Sequence, residues 1–178
     1  TGTLFEGLLK FSSEWKVNDG LFTVIRGVVD RLPLPFDTNV ISRIAVVMIL
    51  GMIFILSCRW LLERRTGSRF YQVSLLNLSA LFFLIPTGNP WYFTWVFPFL
   101  LILPSRALVA FSGLVFLYYL DFYFMYQNQR HLFDWVRLVE YGSFFIILGL
   151  ELRNARHRLR KKSQLIRFSR SQVIQGRP

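Results

Sequence analysis

Apolar residues recur along this chain in two rhythms, and the change between them divides it. In residues 4–15, Leu4, Leu8, Phe11 and Trp15 fall three or four apart, with Glu6, Lys10 and Glu14 elsewhere on the wheel. That spacing predicts a short amphipathic helix. VNDG then breaks the pattern, and Asn18 or Asp19 is a candidate N-cap for a second helix on which Leu21, Ile25, Val28 and Leu32 share a face. LPLP at 32–35 ends it, because neither proline has an amide proton to give a continuing helix. This opening stretch is too charged to span a bilayer and predicts helices lying on its surface.

From residue 40 the apolar positions run together. Five segments follow, at 40–62, 70–86, 90–103, 107–126 and 136–152, separated by ERRTGSR, TGN, PS and the polar loop around QNQRH. A spanning helix needs about 20 residues. The first and fourth segments have that length, and the second and fifth are near the lower limit. The third reads as a tilted span, a re-entrant segment or a helix in a locally thin site. The predicted fold is all-α: a polytopic membrane helix bundle over 40–152, with surface-lying amphipathic helices over 1–39 and a basic cytoplasmic tail over 153–178.

Composition sharpens this picture. The chain is 53% hydrophobic and 17% aromatic, yet its formal net charge is +11. The charge is concentrated. After Glu151 come nine Lys or Arg and no acidic residue, while Arg59, Arg64, Arg65 and Arg69 flank the first turn and Arg106 the third. If all five segments cross, these 14 of the 21 basic residues share one face, which the positive-inside rule makes cytoplasmic. The expected location is the bacterial cytoplasmic membrane, multi-pass, with the C-terminus inside. Basic clusters also bind nucleic acid. Directly after a spanning helix, however, such a cluster sets topology and meets anionic head groups at about 1 kcal/mol per residue. Membrane lipids are therefore the expected partner, and nucleic acid is not. The single cysteine, Cys58, lies in an apolar run and reads as a small buried hydrophobe. The chain opens on Thr1 without the n- and h-regions of a signal peptide, and it is expected to be the C-terminal part of a longer protein.

Candidate chemistry gathers at the other face. Arg43 lies in the first turn of segment one, Asp121 near the end of segment four, and Arg137 and Glu140 at the start of segment five. Ionisable groups near hydrocarbon are costly unless they are paired or face a wet cavity, so these mark interhelical ion pairs or a site. His131 and Asp134 are three apart and able to meet on one helical turn. No His, Cys or carboxylate set has metal-site spacing, and no GxSxG, Walker or dinucleotide motif is present. In GNPWYFTW, Pro90 suits a helix's first turn, Asn89 suits the cap before it, and Trp91, Tyr92 and Trp95 suit a head-group belt. A short helix starting there would aim its positive end outward, towards an anion such as a lipid phosphate.

GNPWYFTWVFPFLLIL (88–103) resembles the His-Pro-Trp-Tyr segment of bacterial polyprenyl-phosphate-mannose-dependent mannosyltransferases, integral-membrane glycosyltransferases of the GT-C architecture. FSSEWKVNDGLFTVIRGVV (11–29) is similar to their late extracytoplasmic stretch. Asn89 stands where the family usually has His, so it keeps hydrogen bonding but cannot become cationic. The resemblance implies transfer of a hexose, mannose in the family, from a polyprenyl-phosphate carrier to an extracytoplasmic acceptor. It further implies a catalytic acidic residue upstream of residue 1, so that this chain cannot catalyse alone and works with the missing N-terminal part of the same protein. Asn89, Trp91 and Tyr92 are then assigned to the carrier's phosphate and first isoprene units, and Asn18 and Asp19 to the acceptor side. Arg43 is also a candidate substrate-binding residue. No cofactor or metal is implied beyond the lipid-linked sugar donor. Two other readings remain open: a non-enzymatic module (half a transporter or an assembly scaffold), and a flippase or ligase for lipid-linked sugars.

Overall fold

The computed structural model describes residues 19–33, 35–63 and 66–175. The helix expected at 4–15, and Asn18, lie outside the described residues. Every regular element among the described residues is helical, as expected for an all-α fold. In chain order these are α1 (Gly20–Val29), α2 (Thr38–Glu63), α3 (Gly67–Leu84), a 3-10 helix (Pro90–Trp95), α4 (Phe97–Ile102), α5 (Arg106–Leu114), a 3-10 stretch (Val115–Tyr119), α6 (Leu120–Tyr126), a 3-10 turn (Arg130–Leu132) and α7 (Phe133–Gln175).

Two helical runs are long and apolar enough to cross a membrane: α2, and the continuous run Arg106–Tyr126 that joins α5, a 3-10 stretch and α6. They match the first and fourth expected segments. The third does not form one helix. It divides into two six-residue pieces, Pro90–Trp95 and α4. Pro98 near the start of α4 has no amide proton to continue the preceding turn, so the chain restarts there. Each piece is only about 9–12 Å long, too short to span. The fifth segment and the basic tail are parts of a single 43-residue helix, α7.

The helices pack as two pairs that share one core. The α2–α3 hairpin forms one pair and α5–α7 the other, with α1 lying against α2 and α3. Between the pairs lies an aromatic cluster. Phe83 stacks on Phe144 at 4.5 Å, and Phe111 meets Phe83, Phe93 and Phe144 at 4.8, 5.3 and 5.3 Å. Rings at such separations add about 0.5–1.5 kcal/mol per pair beyond the area they bury. Phe93 is the contribution of the 3-10 helix to this core, which fixes where the Asn-Pro-Trp-Tyr turn sits.

Polar side chains fasten each pair. Asn77 Nδ2 donates to Ser57 Oγ at 2.8 Å across the α2–α3 hairpin, and also to the Val73 carbonyl. At the base of α5, Ser105 caps the helix by accepting from the Leu108 amide. The Glu151 carboxylate, from α7, accepts from the Ser105 hydroxyl at 3.0 Å and the Ala107 amide at 3.2 Å. An acidic group at a helix N-terminus satisfies amides that have no partner within the helix. That contact also sets how far α7 slides along α5.

Candidate functional site

The second amphipathic helix forms, but its buried face differs from the expected one. Phe22 and Val29 are buried, whereas Val28 and Leu32 are 56% and 51% exposed. The Arg43 guanidinium lies 5.7 Å from the Phe22 ring centroid, so a cation–π contact and a closed hydrophobic seat turn α1 towards α2 on that side. Asp19 precedes α1 in the cap position yet makes no side-chain cap hydrogen bond. Its carboxylate is used elsewhere.

Arg137, in the first turns of α7, takes it. Arg137 Nη1 donates to Asp19 Oδ1 at 2.8 Å and to Thr23 Oγ1 at 3.4 Å. The other arm, Nη2, donates to Asp134 Oδ1 one turn earlier, so Asp134 pairs with Arg137 and not with His131. The guanidinium also lies 5.4 Å from the Phe133 ring centroid. Asp19 is 15% exposed and Asp134 is 71% exposed, so one arm is sheltered and the other wet. Beside this cluster Gly20 lies close against the Tyr141 ring. A Cβ at Gly20 would fall 2.4 Å from the ring. Glu140, the neighbour of Tyr141, is wholly buried. Sequence reasoning had noted Arg137 and Glu140 as ionisable groups at this end. It did not connect them to Asp19, because 118 residues separate the two partners.

The Asn-Pro-Trp-Tyr turn is a second constellation. Asn89 has the extended backbone of a cap, with Pro90 at the first helical position, but its side chain makes no cap hydrogen bond. Asn89 is 5% exposed, and Phe93 is 1% exposed. Trp91 and Trp95 are 54% and 53% exposed, with Tyr92 half-buried between them at 6.0 and 5.1 Å from their rings. The helix is 3-10 and six residues long, so the expected dipole-based anion seat at its start loses its basis. The structure thus groups Asn89, Trp91 and Tyr92 on one turn packed against α3, α4 and Val115–Tyr119, and Asp19 and Arg43 around α1.

Between the helix pairs runs an apolar cleft of about 540 Å3. Its walls come from α3 (Leu76, Ala80, Phe83), α5 (Leu108), α7 (Phe144, Leu148) and α1 (Leu21). The sequence carried no direct signal for it, since a cleft depends on which helix faces meet. Among the described residues, no group of three or more His, Cys, Asp or Glu is arranged to hold a metal ion. Comparison with family models, curated proteins and solved structures returned no match, so the molecule's own geometry is the ground for assigning a function.

Proposed function

We propose that the chain is the C-terminal, membrane-embedded part of a glycosyltransferase that moves a hexose from a polyprenyl-phosphate carrier to an acceptor outside the cytoplasm. In this reading α2 and Arg106–Tyr126 cross the bacterial cytoplasmic membrane, α3 and the first half of α7 complete a multi-pass bundle, the two short pieces Pro90–Trp95 and α4 together return the chain between α3 and Arg106, and the C-terminus is cytoplasmic. The membrane placement is supported by exposure. Only 17% of the most apolar window of α2 and 22% of that in Arg106–Tyr126 is buried inside the molecule. A core helix of a water-soluble domain would be mostly covered, and apolar faces this large are untenable in water.

The observation that most supports the carrier reading is the aromatic turn. Phe93 roots it in the core while Trp91 and Trp95 face out beside the Val115–Tyr119 stretch of the second spanning run. Rigid, amphipathic rings at that level suit the junction of a lipid's head and chain. On this reading Trp91 and Tyr92 meet the carrier's chain at the interface, Asn89 acts through the backbone of the turn, and the acceptor approaches from the Asp19 side. The catalytic carboxylate belongs to the part of the enzyme that precedes Thr1.

The test is hexose transfer in membranes carrying the complete protein, with labelled polyprenyl-phosphate hexose as donor. Trp91→Ala and Tyr92→Ala should each lower kcat/KM about tenfold, which corresponds to ~1.4 kcal/mol of lost stabilisation. Unchanged transfer in both variants would refute the assignment.

A further inference from the structure

We infer that the molecule seats an anionic lipid with a single long chain, its tail in the cleft between α3, α5 and α7 and its head against Arg137. The inference rests on the carrier reading above and gives the carrier a place. It also departs from the sequence-based assignment of the phosphate to the Asn89 turn.

The cleft fits a chain. At about 540 Å3 it lies within the range of small-ligand sites. Its α3 wall runs from Gln72 to Leu84, or ~18 Å at the helical rise. A long groove walled by leucines and phenylalanines, with no charged residue among its lining residues, suits an extended hydrocarbon better than a compact polar ligand.

The cleft also leads to a cation. Leu21 lines both this cleft and a smaller pocket of about 180 Å3, whose other walls include Gly20, Asp134, Arg137 and Tyr141. One side chain therefore separates the apolar groove from a pocket walled by the Arg137 guanidinium and its Asp134 partner.

Arg137 is held by two unequal carboxylates. Asp19 is sheltered at 15% exposure, and Asp134 is exposed at 71%. An exposed ion pair contributes at most about 1 kcal/mol, whereas phosphate on a guanidinium forms charge-assisted, often bidentate hydrogen bonds. A phosphate can thus take the arm that Asp134 occupies, while Asp19 and Thr23 keep the guanidinium oriented. The positive charge that Asn89 cannot supply comes from Arg137.

The test uses the purified full chain in phosphatidylcholine nanodiscs and a photoreactive geranylgeranyl phosphate. Adducts should fall on residues 72–84 and 144–148. Unlabelled polyprenyl phosphate should compete for labelling, and the matching alcohol should compete far less. Ala80→Phe, which fills the wall, and Leu76→Trp at the half-exposed rim should each cut labelling about tenfold, or ~1.4 kcal/mol. Asp134→Asn, which removes the competing carboxylate, should tighten binding severalfold. Labelling spread along the outer face of α2, or weaker binding by Asp134→Asn, would overturn the seat. Preference for polyprenyl phosphate that survives both wall variants would overturn it while leaving the carrier reading intact. Competition by the matching alcohol equal to that by polyprenyl phosphate would overturn both.

Discussion

The contact between Gly20 and Tyr141 gives one substitution opposite signs at two positions of the same helix. A methyl group at Gly20 would lie 2.4 Å from two carbons of the Tyr141 ring and 2.8 Å from a third. Carbon atoms rest at about 3.5 Å or more, so the ring or α1 must move by ~1 Å. Tyr141 has little freedom to move. It is 8% exposed and packed against Phe111 at 5.6 Å and Phe83 at 6.1 Å. Overpacking of this kind costs about 1–3 kcal/mol. Alanine's helix propensity returns up to about 1 kcal/mol inside a helix, and less at its first residue. The clash should therefore win at Gly20, with a net loss of about 1–2 kcal/mol. At Gly27, where nothing lies within 4 Å of an added Cβ, only the propensity gain remains. Reversible unfolding in mixed micelles, followed by circular dichroism, should place Gly20→Ala below the parent and Gly27→Ala at or above it. At about 2–4 °C per kcal/mol for a chain of this size, their Tm values should differ by roughly 2–12 °C. Adding Tyr141→Leu should erase most of the Gly20→Ala penalty, with a coupling above about 1 kcal/mol. Equal shifts at the two glycines, or additive effects in the double variant, would refute the close approach.

Three further outcomes are expected. Glu151→Ala should free the start of α5 and cost about 1 kcal/mol, seen as faster amide exchange at Ala107 and Leu108 with little change in α2. Asn77→Leu should loosen the α2–α3 hairpin by about 0.6 kcal/mol, the usual size of a hydrogen bond between membrane helices, and a far larger loss would mean that Asn77 does more than clamp Ser57. In a Cys58→Ser background, a cysteine at Gln129 should react with an impermeant maleimide from outside whole cells and one at Gln164 only after lysis. Reversed labelling would invert the proposed topology.

Much of the fold was legible because apolar runs and their breaks are local. The segments at 40–62 and 107–126 became α2 and Arg106–Tyr126 nearly residue for residue. The segment at 90–103 split because Pro98 interrupts it, and the count of apolar residues hides that break. The rotated face of α1 was not legible. Leu21, Ile25, Val28 and Leu32 have proper helical spacing, but burial of Phe22 depends on α2 and Arg43, which no window within α1 contains. The Asp19–Arg137 pair was hidden for the same reason, being a contact between distant parts of the chain. Asp19 looked like a cap because cap residues are read from their neighbours. Its real partner could be found only in three dimensions.

The unbroken helix α7 makes the two sides of the molecule mechanically one piece. Its 43 residues form a rod, ~64 Å long at the helical rise. Arg137 is in its first turns and Arg160, exposed, lies well beyond Glu151. A tilt of roughly 10° about Glu151 would carry Arg137, ~21 Å away along the rod, through about 4 Å and the far end, ~36 Å away, through about 6 Å, by the same rise. Glu151, gripping the start of α5 partway along, stands where a fulcrum would. Whatever takes hold of the basic end therefore has leverage on the guanidinium at the other, and displacement of that guanidinium is magnified on the far side.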